Sequence, residues 1–254
     1  MNREFQVDHL RVCCYGTREE MGAAGARYAA GLIRRVCEAR GEANLVFASS
    51  PSQLELLTAL RRETVDWSRV NAFHMDEYVG VDREHGASFA HYLREHFFRY
   101  LPLKSVHYID GTAEPEAECG RYSRLLLKYP TDITFAGIGE NGHMAFNDPY
   151  LADFFDPRLV KLNPALDDVC RYQQVRDGWF ATTDDVPSRA VTLTMPALLR
   201  APHLILTAPG ETKRRIIQRV LEGPIGLETP ATAARLHRNA VLYIDAASAA
   251  LLSK

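Results

Sequence analysis

The segment Gly137-Ile138-Gly139-Glu140-Asn141-Gly142-His143-Met144-Ala145-Phe146-Asn147-Asp148-Pro149 sets a histidine and an aspartate directly after closely spaced glycines. The glycines let the backbone turn sharply and approach a ligand, at Gly139 above all. His143 and Asp148 can both move protons. A second acidic pair, Asp76-Glu77, stands at the end of another apolar run. Neighbouring residues leaving a strand point different ways, so one carboxylate is expected to face a pocket while the other braces a loop. A carboxylate in a partly dry pocket has its pKa raised toward the range of a useful general base. In its bland reading each is a solvated loop acid.

Anion chemistry is offered by Ser49-Ser50-Pro51-Ser52-Gln53 and by Pro209-Gly210-Glu211-Thr212-Lys213. Helix N-termini present free N–H groups to a phosphate, and Lys213 adds a charge one turn into a helix that begins near Gly210. The plain alternative for Ser50 is a helix cap, with Pro51 at the first helical position and Gln53 completing a capping box. For Lys213, beside Arg214 and Arg215, it is a solvated surface charge. Arg171 and Arg176 are further anion candidates with a similar alternative. The glycine segment also fits GxGxxG, but it lies mid-chain. His143 to Pro149 is a poor opening for a helix, and no clear acidic ribose ligand follows, which disfavours a dinucleotide site. The spacings of His85, His91 and His96 put no two on one i, i+4 face, so no metal site is expected.

These residues need a scaffold that gathers them. Short apolar runs alternate with helix-period segments along nearly the whole chain. Strands are expected at Leu10–Tyr15, Asn44–Ala48, Val70–Met75, Val106–Ile109, Asp132–Ile138, Ala190–Leu193, His203–Ala208 and Ala240–Ile244. Runs such as Leu45-Val46-Phe47-Ala48 are apolar throughout, as suits strands covered on both faces. A helix over Thr17–Ala39 carries an apolar stripe of Met21, Ala24, Tyr28, Leu32 and Val36, with Thr17 and Glu20 as its capping box. The fold class that follows is α/β: a mostly parallel open sheet with helices on both faces, a Rossmann-like three-layer sandwich. In such sheets ligands bind beyond the carboxyl ends of the strands. The serine segment, Asp76, the glycine segment and Lys213 each follow an expected strand. Asp148–Val175, rich in Pro, Asp and Asn, is the least regular stretch and reads as a lid or loop over that site. One domain spanning 1–254 is expected.

Composition narrows the partners. The chain has 254 residues, 46% hydrophobic and 24% charged, with a formal net charge of −2. That balance argues against nucleic-acid binding through bulk positive charge. No apolar run approaches membrane-spanning length, and the N-terminal residues lack a signal-peptide core. Cys13, Cys14, Cys37, Cys119 and Cys170 show no CxxC spacing and read as reduced, buried structural thiols of a cytoplasmic protein.

Phe73-His74-Met75-Asp76-Glu77-Tyr78-Val79-Gly80 together with Gly137–Pro149 closely resembles the glucosamine-6-phosphate deaminase (isomerase) family, with weaker similarity from about Leu45 to Asp245. The wider superfamily includes 6-phosphogluconolactonases, whose glycine loop continues toward Ser-Leu-Phe-Pro where this chain has Ala145-Phe146-Asn147-Asp148-Pro149. The resemblance implies conversion of glucosamine 6-phosphate and water into fructose 6-phosphate and ammonia, with no metal or organic cofactor. It implies Asp76 as the base at C2, His143 as the ring-opening proton acceptor, Asp148 as its support and Asn141 as the other ring-opening partner. It places Lys213, Ser49, Ser50 and Ser52 on the substrate phosphate, with Arg171 as the phosphate arginine. The partner implied is a phosphorylated amino sugar, and the family includes monomers and hexamers, so a homo-oligomer stays open. Galactosamine-6-phosphate isomerase, 6-phosphogluconolactonase or a weakly catalytic sugar-phosphate sensor are the alternatives. Three departures stand out, the mildest at Asn141, where some members have aspartate and others asparagine. The serine loop lacks the family's TGxTP-type glycines, and Asp148 replaces a glutamate, shortening the reach by one methylene.

Overall fold

The computed structural model describes residues 3–253, so residues 1, 2 and 254 of the expected 1–254 domain lie outside the described residues. The first half of the chain runs β1 (Arg3–Val7), β2 (Leu10–Tyr15), α1 (Arg18–Arg40), β3 (Ala43–Phe47), α2 (Leu54–Leu60), β4 (Val70–His74), β5 (Asp76–Tyr78), α3 (Phe89–His96), β6 (Ser105–His107) and α4 (Pro115–Lys128). The second half runs β7 (Ile133–Gly137), β8 (Val160–Asn163), α5 (Asp168–Arg176), β9 (Ala190–Leu193), α6 (Met195–Leu199), β10 (His203–Thr207), α7 (Arg214–Glu222) and β11 (Ala240–Asp245). Eight strands form one sheet in the order β1-β2-β11-β10-β7-β3-β4-β6. All its pairings are parallel except the β1–β2 hairpin.

Alternate residues of each central strand enter opposite cores, as the period of two demands. Leu204 and Leu206 of β10 pack with α4, α6 and α7, while Ile205 packs with α1, α2 and α3. Val46 of β3 and Leu242 of β11 join the first core; Leu45, Phe47 and Tyr243 join the second. This is the three-layer arrangement expected from the continuous apolar runs. Phe47 and Phe135 stack at 4.8 Å between ring centroids across β3 and β7, a pairing that contributes about 0.5–1.5 kcal/mol beyond burial.

The α1 cap forms as expected, with Thr17 Oγ1 accepting from Glu20 N–H at 3.2 Å. The buried face of α1 is wider than a single stripe, because the helix also packs closely against α2. A Cβ on Gly22 would lie 2.6 Å from the Glu55 backbone carbon, so that approach requires glycine.

Two expectations change. Ala190–Leu193 is a strand but not part of the main sheet. It is the centre of a second, antiparallel sheet in the order β5-β9-β8. Asp76-Glu77-Tyr78, expected to leave a strand into a loop, is itself one of its edges. The irregular Asp148–Val175 stretch also contains β8 and most of α5.

Candidate active site

β4, β3, β7 and β10 are consecutive neighbours in the main sheet, so their carboxyl ends lie side by side. One cleft opens there. It is lined by Ser49, Ser50, Ser52, Asp76, Gly139, His143 and Lys213, among others, which brings together the four segments singled out from sequence.

One wall is Asp76. It is 7% exposed, and among the described residues its carboxylate has no hydrogen bond or ion pair. Burial, reinforced by neighbouring Glu77, raises its pKa well above the ordinary aspartate value. Glu77 points away and is fully engaged. It accepts from Ser88 Oγ (2.7 Å) and from the N–H groups of Tyr78 (3.0 Å), Phe89 (3.2 Å) and Ala90 (3.0 Å), holding the start of α3. The adjacent acids therefore divide as expected: one faces the cleft and one braces a loop. His74, in the same motif, is fully buried, and its Nε2 accepts from Ile109 N–H at 2.7 Å. Burial, then Arg121, lowers its pKa to about 3, so it stays neutral.

The other wall is the glycine segment. A Cβ on Gly139 would fall 2.1–2.4 Å from the His143 ring, so this glycine makes the room in which the imidazole sits. Gly142 at φ 91 closes the turn, and its N–H donates to Gly139 C=O at 3.0 Å. Asn141 Oδ1 lies 2.7 Å from His143 Nδ1. Asn141 Nδ2 donates to Asp148 Oδ1 and Asp167 Oδ1, each at 3.2 Å, which assigns its oxygen to the histidine. Nδ1 then carries the proton, and Nε2 is the free acceptor.

Asp148 approaches Nδ1 only to 3.4 Å, a long and weak contact. It also accepts from Asp167 N–H (3.2 Å) and Asn163 Nδ2 (3.4 Å). Burial would raise its pKa, but His143, Asn141 and the Asp167 N–H together hold it below the usual value. Cys170 Sγ completes this corner, and the three ligand-capable atoms lie within 4.8 Å of one another. It is the only such trio among the described residues. Burial, then Asp148 and Asp76, keeps the thiol protonated, and Nδ1 is already engaged.

The serine loop and Lys213 also line the cleft. Ser50 does not cap α2. Its Oγ lies 2.7 Å from Ser52 Oγ, and a 3-10 turn over Pro51–Gln53 precedes the helix. Gln53 forms no capping box either; its Nε2 donates to Ala136 C=O at 2.9 Å and to Thr207 Oγ1, tying β7 to β10. Gly137 lets the serines approach, since a Cβ there would stand 3.0 Å from Ser52 Oγ. Lys213 is 7% exposed, with no hydrogen bond or ion pair among the described residues, and burial lowers its pKa. A desolvated ammonium and paired hydroxyls in one cleft suit a phosphate.

Arg171 is a correction. It reaches Thr183 C=O and lies 3.6 Å from Asp168, outside the cleft lining. Arg176, five residues on, lines the cleft and forks onto Glu140 at 2.7 and 2.8 Å. Five residues rotate a helix by about 140°, so the two arginines cannot face one pocket. Arg18 is a cleft residue that sequence reasoning missed. It binds Glu55 (2.7 and 3.1 Å) and Pro51 C=O (3.1 Å) from the first turn of α1. Only its spatial approach to the serine loop identifies it, because on sequence it belongs to a helix start.

Comparison with known proteins agrees with this geometry. The sequence profile described as glucosamine-6-phosphate isomerases/6-phosphogluconolactonase matches residues 16–146. A glucosamine-6-phosphate deaminase of Lactobacillus delbrueckii subsp. bulgaricus is 34% identical over 84% of this chain and 88% of its own. One from Bacillus cereus is 30% identical over 96% and 90%. The solved structure of a monomeric glucosamine-6-phosphate deaminase superposes with a TM-score of 0.85 at 28% identity, covering 95% of this chain and 99% of that one. A 6-phosphogluconolactonase from Shewanella baltica shares the fold, with a TM-score of 0.75 at 22% identity over 95% and 97%.

Proposed function

The chain belongs to the family of glucosamine-6-phosphate isomerases and 6-phosphogluconolactonases, and from that premise we propose that it converts glucosamine 6-phosphate and water into fructose 6-phosphate and ammonia. The observation that carries the reading is a buried, unpartnered Asp76 in the same cleft as a His143 whose Nε2 is free. Residues 1–254 act as one domain in cytoplasmic amino-sugar breakdown.

Ser50, Ser52 and Lys213 hold the substrate phosphate, with Arg176 turning from Glu140 to join them. This remote binding aligns the reacting carbons. His143 Nε2 takes the proton of the anomeric hydroxyl and returns one to the ring oxygen as that C–O bond breaks, giving the open-chain aldehyde. Asp76 then removes the C2 proton while O1 gains one from water, forming an enolamine. Returning the proton to C1 leaves an imine at C2. Water adds there, and ammonia departs. Desolvation of Asp76 raises its basicity, which helps it take a carbon-bound proton.

The test is a coupled ammonia-release assay on glucosamine 6-phosphate and galactosamine 6-phosphate, with hydrolysis of 6-phosphogluconolactone followed in parallel. Ammonia and fructose 6-phosphate should form fastest from glucosamine 6-phosphate. Lactone hydrolysis without deamination would overturn the reading. Ligand-induced stabilisation without turnover of any of the three would leave a sugar-phosphate sensor.

A further inference from the structure

A second cavity of about 320 Å³ lies at the opposite end of the sheet, within the range of small-molecule sites. Arg11, Arg35, Arg238, His9 and His203 line it, and no carboxylate is among its lining residues. It sits at the amino ends of β2, β10 and β11. His203 begins β10, whereas Pro209, just beyond the other end of β10, lines the catalytic cleft. A five-residue strand is about 17 Å long, so the two sites are separate.

The arginines are not consumed by the fold. Among the described residues, Arg35 and Arg238 make no ion pair or hydrogen bond, and both are exposed. Arg11 lies over the Tyr28 ring at 4.9 Å and meets one carboxylate, the well-exposed Glu4, at 3.6 Å. His203 has a buried Nδ1 without a partner among the described residues. Three arginines, from β2, α1 and the turn before β11, line one cavity, and their like charges favour an anion there. Their forked donors match phosphate oxygens. On a chain of net charge −2 this is a local concentration of positive charge, not a reflection of composition.

We propose that this cavity between α1 and the amino ends of β2, β10 and β11 is a second binding site, for a small phosphate-bearing anion, independent of the catalytic cleft.

The test is calorimetric titration of the full chain with inorganic pyrophosphate in a Lys213→Ala/Arg176→Ala/Arg18→Ala background, which removes the cleft's lysine and arginines. Binding should persist there, weaken as salt rises, and fall about tenfold or more when Arg35→Glu and Arg238→Glu are added. Both positions are exposed, so the charge reversals should leave the fold intact, and an unchanged circular dichroism spectrum checks this. Absence of binding in the cleft-deficient protein would overturn the site. So would equal affinity with and without the charge reversals.

Discussion

The two walls of the cleft solve opposite problems. Asp76 faces the cavity with no partner among the described residues, while Glu77 beside it absorbs the available donors. His143 is held from behind by Asn141, and Asn141 is in turn fixed by Asp148 and Asp167. One group gains its chemistry from missing interactions, the other from a network that fixes tautomer and ring orientation. A carbon acid demands a strong base, which desolvation supplies. Moving a proton between two oxygens demands a defined direction, which a network supplies.

The largest expected effect breaks the bare wall. Asp76→Asn should lower kcat by about 10²–10⁴-fold and raise thermal stability at neutral pH. The sign follows from its raised pKa: ionisation costs the folded state stability as pH climbs from the unfolded value near ~3.9 through the raised folded value. An amide has no such cost, so Tm should increase by a few degrees in a melting scan. A fall in Tm would mean that Asp76 carries structural bonds after all.

Breaking the networked wall should cost less. His143→Gln should reduce kcat by roughly 10²-fold, because spontaneous ring opening still feeds Asp76 with open-chain substrate. Steady-state assays on the two variants side by side would reveal the order. Lys213→Ala serves both walls alike and should raise KM by about ten- to a hundredfold, as the loss of a charge-assisted bond.

The smallest effect on rate concerns Asp148. Asp148→Ala strands the Asn141, Asn163 and Asp167 donors and should destabilise the fold by about 1–3 kcal/mol, measured by denaturant unfolding at pH 7. The lowered pKa fixes the pH sense. The stability Asp148 contributes is present above the unfolded value near ~3.9 and is lost as pH falls through the depressed folded value. The difference between wild type and variant should therefore shrink in acid.

Sequence and structure agree where a single residue pattern decides the outcome. Continuous apolar runs identified the parallel strands, and the rule of carboxyl-end binding gathered the serine loop, Asp76, the glycine loop and Lys213. The second sheet was not legible, because Asp76–Tyr78 is only three residues long and pairs through tertiary contact with Ala190–Leu193. Ser50 and Gln53 carried cap chemistry, yet Ser52 and the β7 and β10 partners outcompete the helix end for them. The choice between Arg171 and Arg176 depends on how α5 is rotated, and its largely polar sequence offers no clear apolar stripe to set that angle. At the histidine, Asn141 takes the His143 bond at 2.7 Å while Asp148 stays at 3.4 Å.

The division of labour between the walls is tested most directly at the C2 proton. Proton NMR of glucosamine 6-phosphate incubated with wild type and with Asp76→Asn reports whether the C2–H bond breaks. Wild type should consume that signal as fructose 6-phosphate forms, whereas Asp76→Asn, still binding the sugar phosphate, should leave it intact. Loss of the C2–H signal at the wild-type rate in Asp76→Asn would contradict the assignment of Asp76 as the base.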